Sequence, residues 1–424
     1  MISVGLDLSA LDPGFKSHAH RGIGRYVAEL HKFFESHTDP DLSVGFFDHE
    51  ALRRNQLADK LISLVPCGRT SLRQHVVYPR RLHQGVMREY SLLHYPAHMD
   101  APAWSSKPYV LTVLDLIPHV LKDLYRVNKP GWRFKIARSL EVLAIRQATV
   151  LLAISETTAD DLVRVLDIPR ERIVVTPLGV DERFFDVATA RAQAAGSGTG
   201  SIRAKLSIPL GRPIVLYVGG HDERKNIGNL VGIVHQAGAE LRSRGKVAPL
   251  LVMAGRVTSR DEMDRLDTTL RRYGMERDTV SLGYVSDDDL KELYAESSLF
   301  LFPTLYEGFG LPALEAMAAG LPVVASNTSS IPEVVGEAGI LFNPLSVDDG
   351  ARAVVQVLER QDTQDALSRA GVARAREFTW ERTGRATVEG YRRAHEIRNA
   401  RGETVASRLA RDECQKVESS GTFV

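Results

Sequence analysis

The chain has 424 residues, more than one hydrophobic core holds, since cores usually stop growing at about 250–300 residues; two domains are expected. Hydrophobic content of 44% and charged content of 25% are those of an ordinary soluble globular protein. Two cysteines, Cys67 and Cys414, exclude a disulfide framework and have no metal-ligand spacing, which points to a reducing compartment. No apolar stretch approaches the ~18–20 residues that span a bilayer. The opening Met1-Ile2-Ser3-Val4-Gly5-Leu6-Asp7 lacks a basic n-region and reads as a strand, not a signal peptide. The expected location is cytoplasmic, with contact at the inner face of the membrane left open. The formal net charge of +1 hides an uneven distribution. From Lys60 to Arg146 there are 14 Lys/Arg against 5 Asp/Glu, an excess that suits an anionic acceptor or a peripheral membrane contact, and equally a solvated face.

Taken in order, short apolar runs alternate with helical stretches, the pattern of parallel sheets covered by helices on both faces. Strands are predicted at 2–8, 42–47, 91–94, 109–113, 149–154 and 172–175, and helices at 23–36, 132–147 and 156–166. The stretch 187–211 carries Ala195-Gly196-Ser197-Gly198-Thr199-Gly200, a linker composition. Alternation restarts with strands at 214–218, 250–254, 279–282, 298–302, 323–325 and 340–342. A terminal helix over 380–400 is expected to return to the N-terminal domain, and 401–424 reads as a polar tail with little fixed structure. The economical architecture is α/β: two Rossmann-like domains, 1–186 and 212–379, joined by the 187–211 linker.

The segment Tyr306-Glu307-Gly308-Phe309-Gly310-Leu311-Pro312-Ala313-Leu314-Glu315 is the most informative in the chain. It follows the apolar run at 298–302, and Pro312 sits where the first turn of a helix tolerates a missing N–H. Gly320 and Pro322 end that helix. One carboxylate then stands on a strand-to-helix loop and the other on the helix's first turns. Both lie beside N–H groups that favour an anion such as a diphosphate. The pair suits a ligand carrying sugar, phosphate and ribose together; a helix whose acid merely complements its dipole would show the same spacing.

Gly219-Gly220-His221-Asp222-Glu223-Arg224-Lys225-Asn226 follows the strand at 214–218, where ligands bind in open α/β sheets. Arg224 offers a fork for phosphate oxygens and Lys225 a point charge. Alone, the dipeptide would be a solvated helix start; its company with the two glutamates favours a phosphate site. Gly22-Ile23-Gly24-Arg25-Tyr26 opens a helix whose amides could meet a phosphate across an interdomain cleft, or simply make a tight turn. Asp287-Asp288-Asp289 after Ser286 is explained by capping and first-turn acids, not by a metal. The 13 histidines show no metalloprotease spacing, and Arg80-Arg81 lacks the interleaved aromatics of a nucleic-acid groove, so no nucleic-acid partner is expected.

Together these segments resemble the family 4 retaining glycosyltransferases, which have the two-domain GT-B fold. The resemblance runs from Ile2 to about Tyr391. Besides the motifs above it includes Asp115-Leu116-Ile117-Pro118, Ala153-Ile154-Ser155-Glu156, Val174-Val175-Thr176-Pro177-Leu178-Gly179-Val180-Asp181 and Ser330-Ile331-Pro332-Glu333. The nearest flavour is bacterial O-antigen and surface-polysaccharide mannosyltransferases using GDP-mannose. The resemblance implies that Arg224 and Lys225 hold the donor diphosphate, Glu315 the ribose and Glu307 the donor-sugar hydroxyls. It also implies that amides of Phe309, Gly310 and Leu311 approach sugar and phosphate, and that Gly22 and Gly24 close on the diphosphate. Tyr284 and Val285 would meet the base.

Two positions depart from the family. Leu114 stands where many members have a His, leaving Asp115 as the nearest polar substitute, or as a structural residue at a strand end. Gly220 stands where some have a further phosphate-binding Arg. The implied reaction moves a hexose, mannose favoured, to a glycan or lipid-linked oligosaccharide with retention and no metal. The donor phosphate itself would take the acceptor's proton. A nucleotide-sugar epimerase, a non-catalytic nucleotide-sugar-binding protein and a glycosidase are the alternatives.

Overall fold

The computed structural model describes residues 1–12, 22–48, 89–122, 132–193, 201–257 and 259–419. Within them lie β1 (Ile2–Asp7), β2 (Leu42–Phe47), β3 (Leu92–Tyr95), β4 (Tyr109–Val113), β5 (Val150–Ala153) and β6 (Ile173–Val175). They form a parallel sheet in the order β2-β1-β3-β4-β5-β6. A second parallel sheet contains β7 (Ile214–Val218), β8 (Leu250–Ala254), β9 (Thr279–Gly283), β10 (Leu299–Phe302), β11 (Val323–Ser326) and β12 (Ile340–Phe342), in the order β12-β11-β10-β7-β8-β9. Strands buried on both faces need unbroken apolar runs, and Leu250, Leu251, Val252 and Met253 are indeed fully buried. The two-domain α/β class is as the sequence suggests.

Strand order reverses between β7 and β10 in the second sheet and between β1 and β3 in the first. At such switch points the loops after neighbouring strands diverge and leave a crevice at the carboxyl ends. Helix α1 (Gly22–Ser36), the first α-helix described after β1, belongs to the same domain and faces the second across the crevice through Gly22 and Arg25. Helix α2 (Glu156–Leu166) follows β5, with Ser155 as its cap: the Ser155 hydroxyl accepts from the Thr158 N–H at 3.0 Å.

The chain crosses between the sheets twice. Helix α3 (Arg183–Gln193) already belongs to the second unit by its contacts. It packs on α4 (Asp287–Glu296) and α5 (Leu311–Ala318), and Arg191 donates to the carbonyls of Tyr294 and Ser297 at 2.8 and 2.9 Å. The stretch expected as a linker from residue 187 therefore begins as helix; its glycine run lies outside the described residues. Beyond α5 come the short α6 (Ile331–Val335) and the long α7 (Trp380–Ser419), which lies on α1, β1, β4, β5 and β6. Helix α7 continues past the expected end near residue 400, so 401–419 is helical, not an unstructured tail. The two crossings touch: the Val180 N–H donates to the Phe378 carbonyl at 3.1 Å, and a Cβ at Gly179 would overlap the Trp380 backbone.

Cys67 and the basic residues Lys60, Arg69, Arg73, Arg80, Arg81, Arg88, Arg126 and Lys129 lie outside the described residues. Among the described residues no helix is long and apolar enough to cross a membrane.

Candidate active site

The second sheet's switch point carries the ionic centre. Arg224 and Lys225 follow β7, Glu307 follows β10, and these strands are neighbours. The Lys225 ammonium donates to Glu307 Oε1 at 2.6 Å, and the Arg224 guanidinium donates to Glu307 Oε2 at 2.9 Å and to the Tyr306 carbonyl at 3.1 Å. Arg224 also pairs with Asp222 at 2.9 Å. The Thr304 hydroxyl donates to Glu307 Oε1 at 2.8 Å, and the Glu307 N–H is tied to Ser329 Oγ at 2.9 Å. Burial alone would raise the Glu307 carboxyl; the charges of Lys225 and Arg224 and the hydrogen bonds outweigh it and hold it below the ordinary value. Thr304 and Ser329 carry no motif that would have marked them in the sequence.

Helix α5 begins at Leu311 with Pro312 in its first turn, so its leading amides face outward from the ladder. The Phe309 ring is turned into the core against Phe378, at 5.9 Å between centroids, leaving backbone as what it offers the cleft. Glu315 is buried on this helix, its carboxylate accepting from the Tyr294 hydroxyl at 3.2 Å and from the Arg25 guanidinium. Arg25 comes from α1 in the first domain and also reaches Asp287 at 3.5 Å. Burial raises the Glu315 carboxyl above its usual value, and the Arg25 charge opposes this without cancelling it. The sequence places Arg25 in a quoted motif but says nothing of its partner.

Four further contacts seal the cleft. A Cβ on Gly308 would overlap the Leu114 carbonyl oxygen, so only glycine lets the glutamate loop meet the end of β4 this closely. The Tyr306 hydroxyl donates to the buried Asp161 carboxylate on α2. Thr158 Oγ1 donates to the Gly308 carbonyl at 3.4 Å. The Glu333 carboxylate of α6 accepts from the amides of Glu156 and Thr157, at 2.8 and 2.7 Å, satisfying the start of α2 from the other domain. Asp161 stands in no motif, and Tyr306, although it opens the two-glutamate segment, gives no sign there of this partner.

The remaining candidates fall as follows. Asp115 accepts from the Ile117 N–H at 3.0 Å and its Cβ lies against Gly308, so it combines a turn-forming role with a place at the cleft. Burial raises its carboxyl, with Arg224 opposing and Glu307 reinforcing. The Leu114 side chain is buried in the core, and its carbonyl is what faces the loop. Gly22 faces Leu311 across the cleft, Gly24 is buried one step further along α1, and Gly220 lies over Asp222. Tyr284 stands exposed at the end of β9 beside the half-buried Val285. Ser286 caps α4 and Asp287–Asp289 fill its first turn.

This arrangement brings Arg224, Lys225, Glu307 and the start of α5 from one domain together with Arg25 of the other at a crevice between the two sheets. Residues 20–184 match the family described as Glycosyltransferase Family 4, and residues 199–374 that described as Glycosyl transferases group 1. The chain carries a family 4 glycosyltransferase domain followed by a group 1 glycosyl transferase domain. It is 32% identical to O-antigen chain mannosyltransferase B of Escherichia coli over 59% of this chain and 62% of that protein. Serotype-specific mannosyltransferase WbdA, also of Escherichia coli, is 32% identical over 66% of this chain and 32% of its own length. The chain thus spans less than two thirds of either relative. Among solved structures, sucrose-phosphate synthase from Thermosynechococcus elongatus superposes with a TM-score of 0.68 at 21% identity, covering 93% of this chain and 100% of that one. HepE from Anabaena, in complex with UDP and glucose, gives 0.63 at 18% identity over 92% of this chain and 99% of the other. The fold is GT-B.

Proposed function

We propose that this chain transfers a hexose, mannose favoured, from a nucleoside diphosphate sugar to a hydroxyl of a glycan or lipid-linked oligosaccharide in surface polysaccharide synthesis. The donor favoured is GDP-mannose. The observation that carries this reading is the pairing of Arg224 and Lys225 with Glu307 at the β7/β10 switch point, beside the start of α5. Two relatives named as mannosyltransferases support the sugar.

In the proposed step the bond from the anomeric carbon to the β-phosphate oxygen breaks on the same face where the acceptor oxygen bonds. The acceptor's proton passes to the departing phosphate. Negative charge grows on the diphosphate, and Arg224, Lys225 and the α5 amides meet it, so fixed cations supply what a metal otherwise would. Glu307 orients both cations and offers its carboxylate to donor-sugar hydroxyls. The closed contacts at Gly308 and Glu333 exclude water and limit donor hydrolysis. The work belongs at the cytoplasmic side, with the basic 60–146 segment toward the membrane.

The contacts disfavour a glycosidase, whose two carboxyls must both be free to face one scissile bond. Glu307 is held by Lys225 and Arg224, and Glu315, although its carboxyl is raised, is occupied by Arg25 and Tyr294. The test is acceptor-dependent release of nucleoside diphosphate, with mass analysis of the acceptor. A gain of one hexose is the expected result; sugar release without an acceptor, or an isomerised donor, would sink the reading.

A further inference from the structure

Arg256 is exposed beside Tyr284, a residue expected to meet the donor's base. The Arg256 guanidinium lies over the Tyr284 ring, 4.7 Å from its centroid. Arg256 follows β8 and Tyr284 follows β9, and the loops are laced together. The Gly255 N–H donates to the Gly283 carbonyl at 2.7 Å, and the Gly219 N–H to the Ala254 carbonyl at 2.9 Å. Among the described residues Arg256 has no carboxylate or carbonyl partner, whereas Arg25, Arg191 and Arg224 each have one or more. A guanidinium seated over an aromatic face is attracted to the ring while its N–H fork stays available to a ligand.

The position of this pair relative to the donor follows from Arg25. A single guanidinium spans Glu315 and Asp287, so the proposed ribose carboxylate and the first residue of α4 lie within one side chain's reach. A ribose on Glu315, with its phosphates toward Arg224, therefore directs its base to the residues just before Asp287. Those are Tyr284, Val285 and Ser286, with Arg256 alongside.

We infer that Arg256 selects the donor's base, its fork donating to the adjacent O6 and N7 acceptors of guanine while the Tyr284 ring seats the guanidinium. This rests on the donor-binding reading of the same cleft. Guanine presents two neighbouring acceptors on that edge; adenine puts an amino donor beside N7, facing the fork with a like group, and pyrimidines have no N7. A bidentate arginine–guanine contact discriminates by about 5- to 150-fold.

The experiment is calorimetric titration of the full chain with GDP, ADP and UDP, for wild type, Arg256→Ala and Arg256→Lys. The expected wild type binds GDP more tightly than ADP by a factor in that range. Arg256→Ala erases most of the preference and leaves UDP affinity within about twofold. Arg256→Lys, which keeps the charge and loses the fork, behaves like the alanine variant. An equal loss for all three nucleotides would make Arg256 a phosphate contact and overturn the inference, as would a preference that survives the substitution or a wild type that favours ADP or UDP. Those outcomes leave glycosyl transfer standing. A wild type that binds no nucleotide at all would remove both.

Discussion

Glu307 and Glu315 stand eight residues apart in one loop-helix segment, and their surroundings work in opposite directions. Glu307 takes its two cations from its own domain, and their charges depress its carboxyl despite burial. Glu315 has its cation from the other domain, and burial leaves its carboxyl raised. The first carboxylate is neutralised whatever the domains do; the second depends on their being closed. Under the proposed function a donor's ribose competes with Arg25 for that second carboxylate, so nucleotide binding and domain closure would draw on the same group.

The sharpest break is on the permanent side. Lys225→Ala removes one preorganised donor to the leaving diphosphate, and kcat at saturating donor should fall by about 10²–10³. Unchanged turnover would take Lys225 out of the reaction. On the conditional side, Gly308→Ala places a methyl where the Leu114 carbonyl stands, and the glutamate loop must withdraw from the first domain. Transfer should drop by roughly 10²-fold, the cost of a displacement on the order of 1 Å, while thermal stability stays near wild type. Wild-type transfer in this variant would mean that the closed contact is no part of the cycle.

Acid sharpens the contrast more gently. Glu315 has a raised folded pKa, so the stability it contributes is complete below its unfolded value and fades as pH rises through the folded one. Glu307 is the reverse: its contribution is present above the unfolded value and is lost as pH falls through its depressed folded pKa. Acidifying from neutrality therefore protonates the raised carboxyls of Glu315 and Asp115 before Glu307, which stays ionised until below the ordinary carboxylate value of 4.5. A carboxyl raised by the fold is stabilised by its proton, so this first step should leave the cleft shut, and stability should fall only as Glu307 is protonated. Small-angle scattering should show unchanged dimensions until helical ellipticity begins to fall; domains that part in the earlier step would contradict the assignment.

The strands were legible because a parallel sheet buried on both faces writes itself as short unbroken apolar runs, as at Leu250–Ala254 and Leu299–Phe302. Composition misled at two places. Helix α3 precedes the glycine run, and reading 1–186 as the first domain and 187–211 as linker split a helix that packs through Phe184 and Arg191 on the second domain. The charged stretch after residue 400 reads as tail by polarity, yet it is rich in arginine, glutamate and alanine, which favour helix. In the site, residues at the ends of strands β7 and β10 could be picked out because topology puts loops there. Partners across the cleft could not: Arg25 meets a carboxylate 290 positions away, and Asp161 meets a tyrosine 145 away. Spacing in the chain encodes local geometry, not which surface folds against which.

The paired crossings at Gly179 and Trp380 make the N-terminal domain discontinuous, since α7 completes it from the far end of the chain. A fragment ending before residue 183 would leave the faces of α1 and β5 that α7 covers, around Phe33, Phe34 and Leu152, open to water and prone to self-association. Dissecting the protein into independent halves thus calls for a circularly permuted or grafted design that carries α7 along, and a truncation before α7 removes a wall of the N-terminal domain.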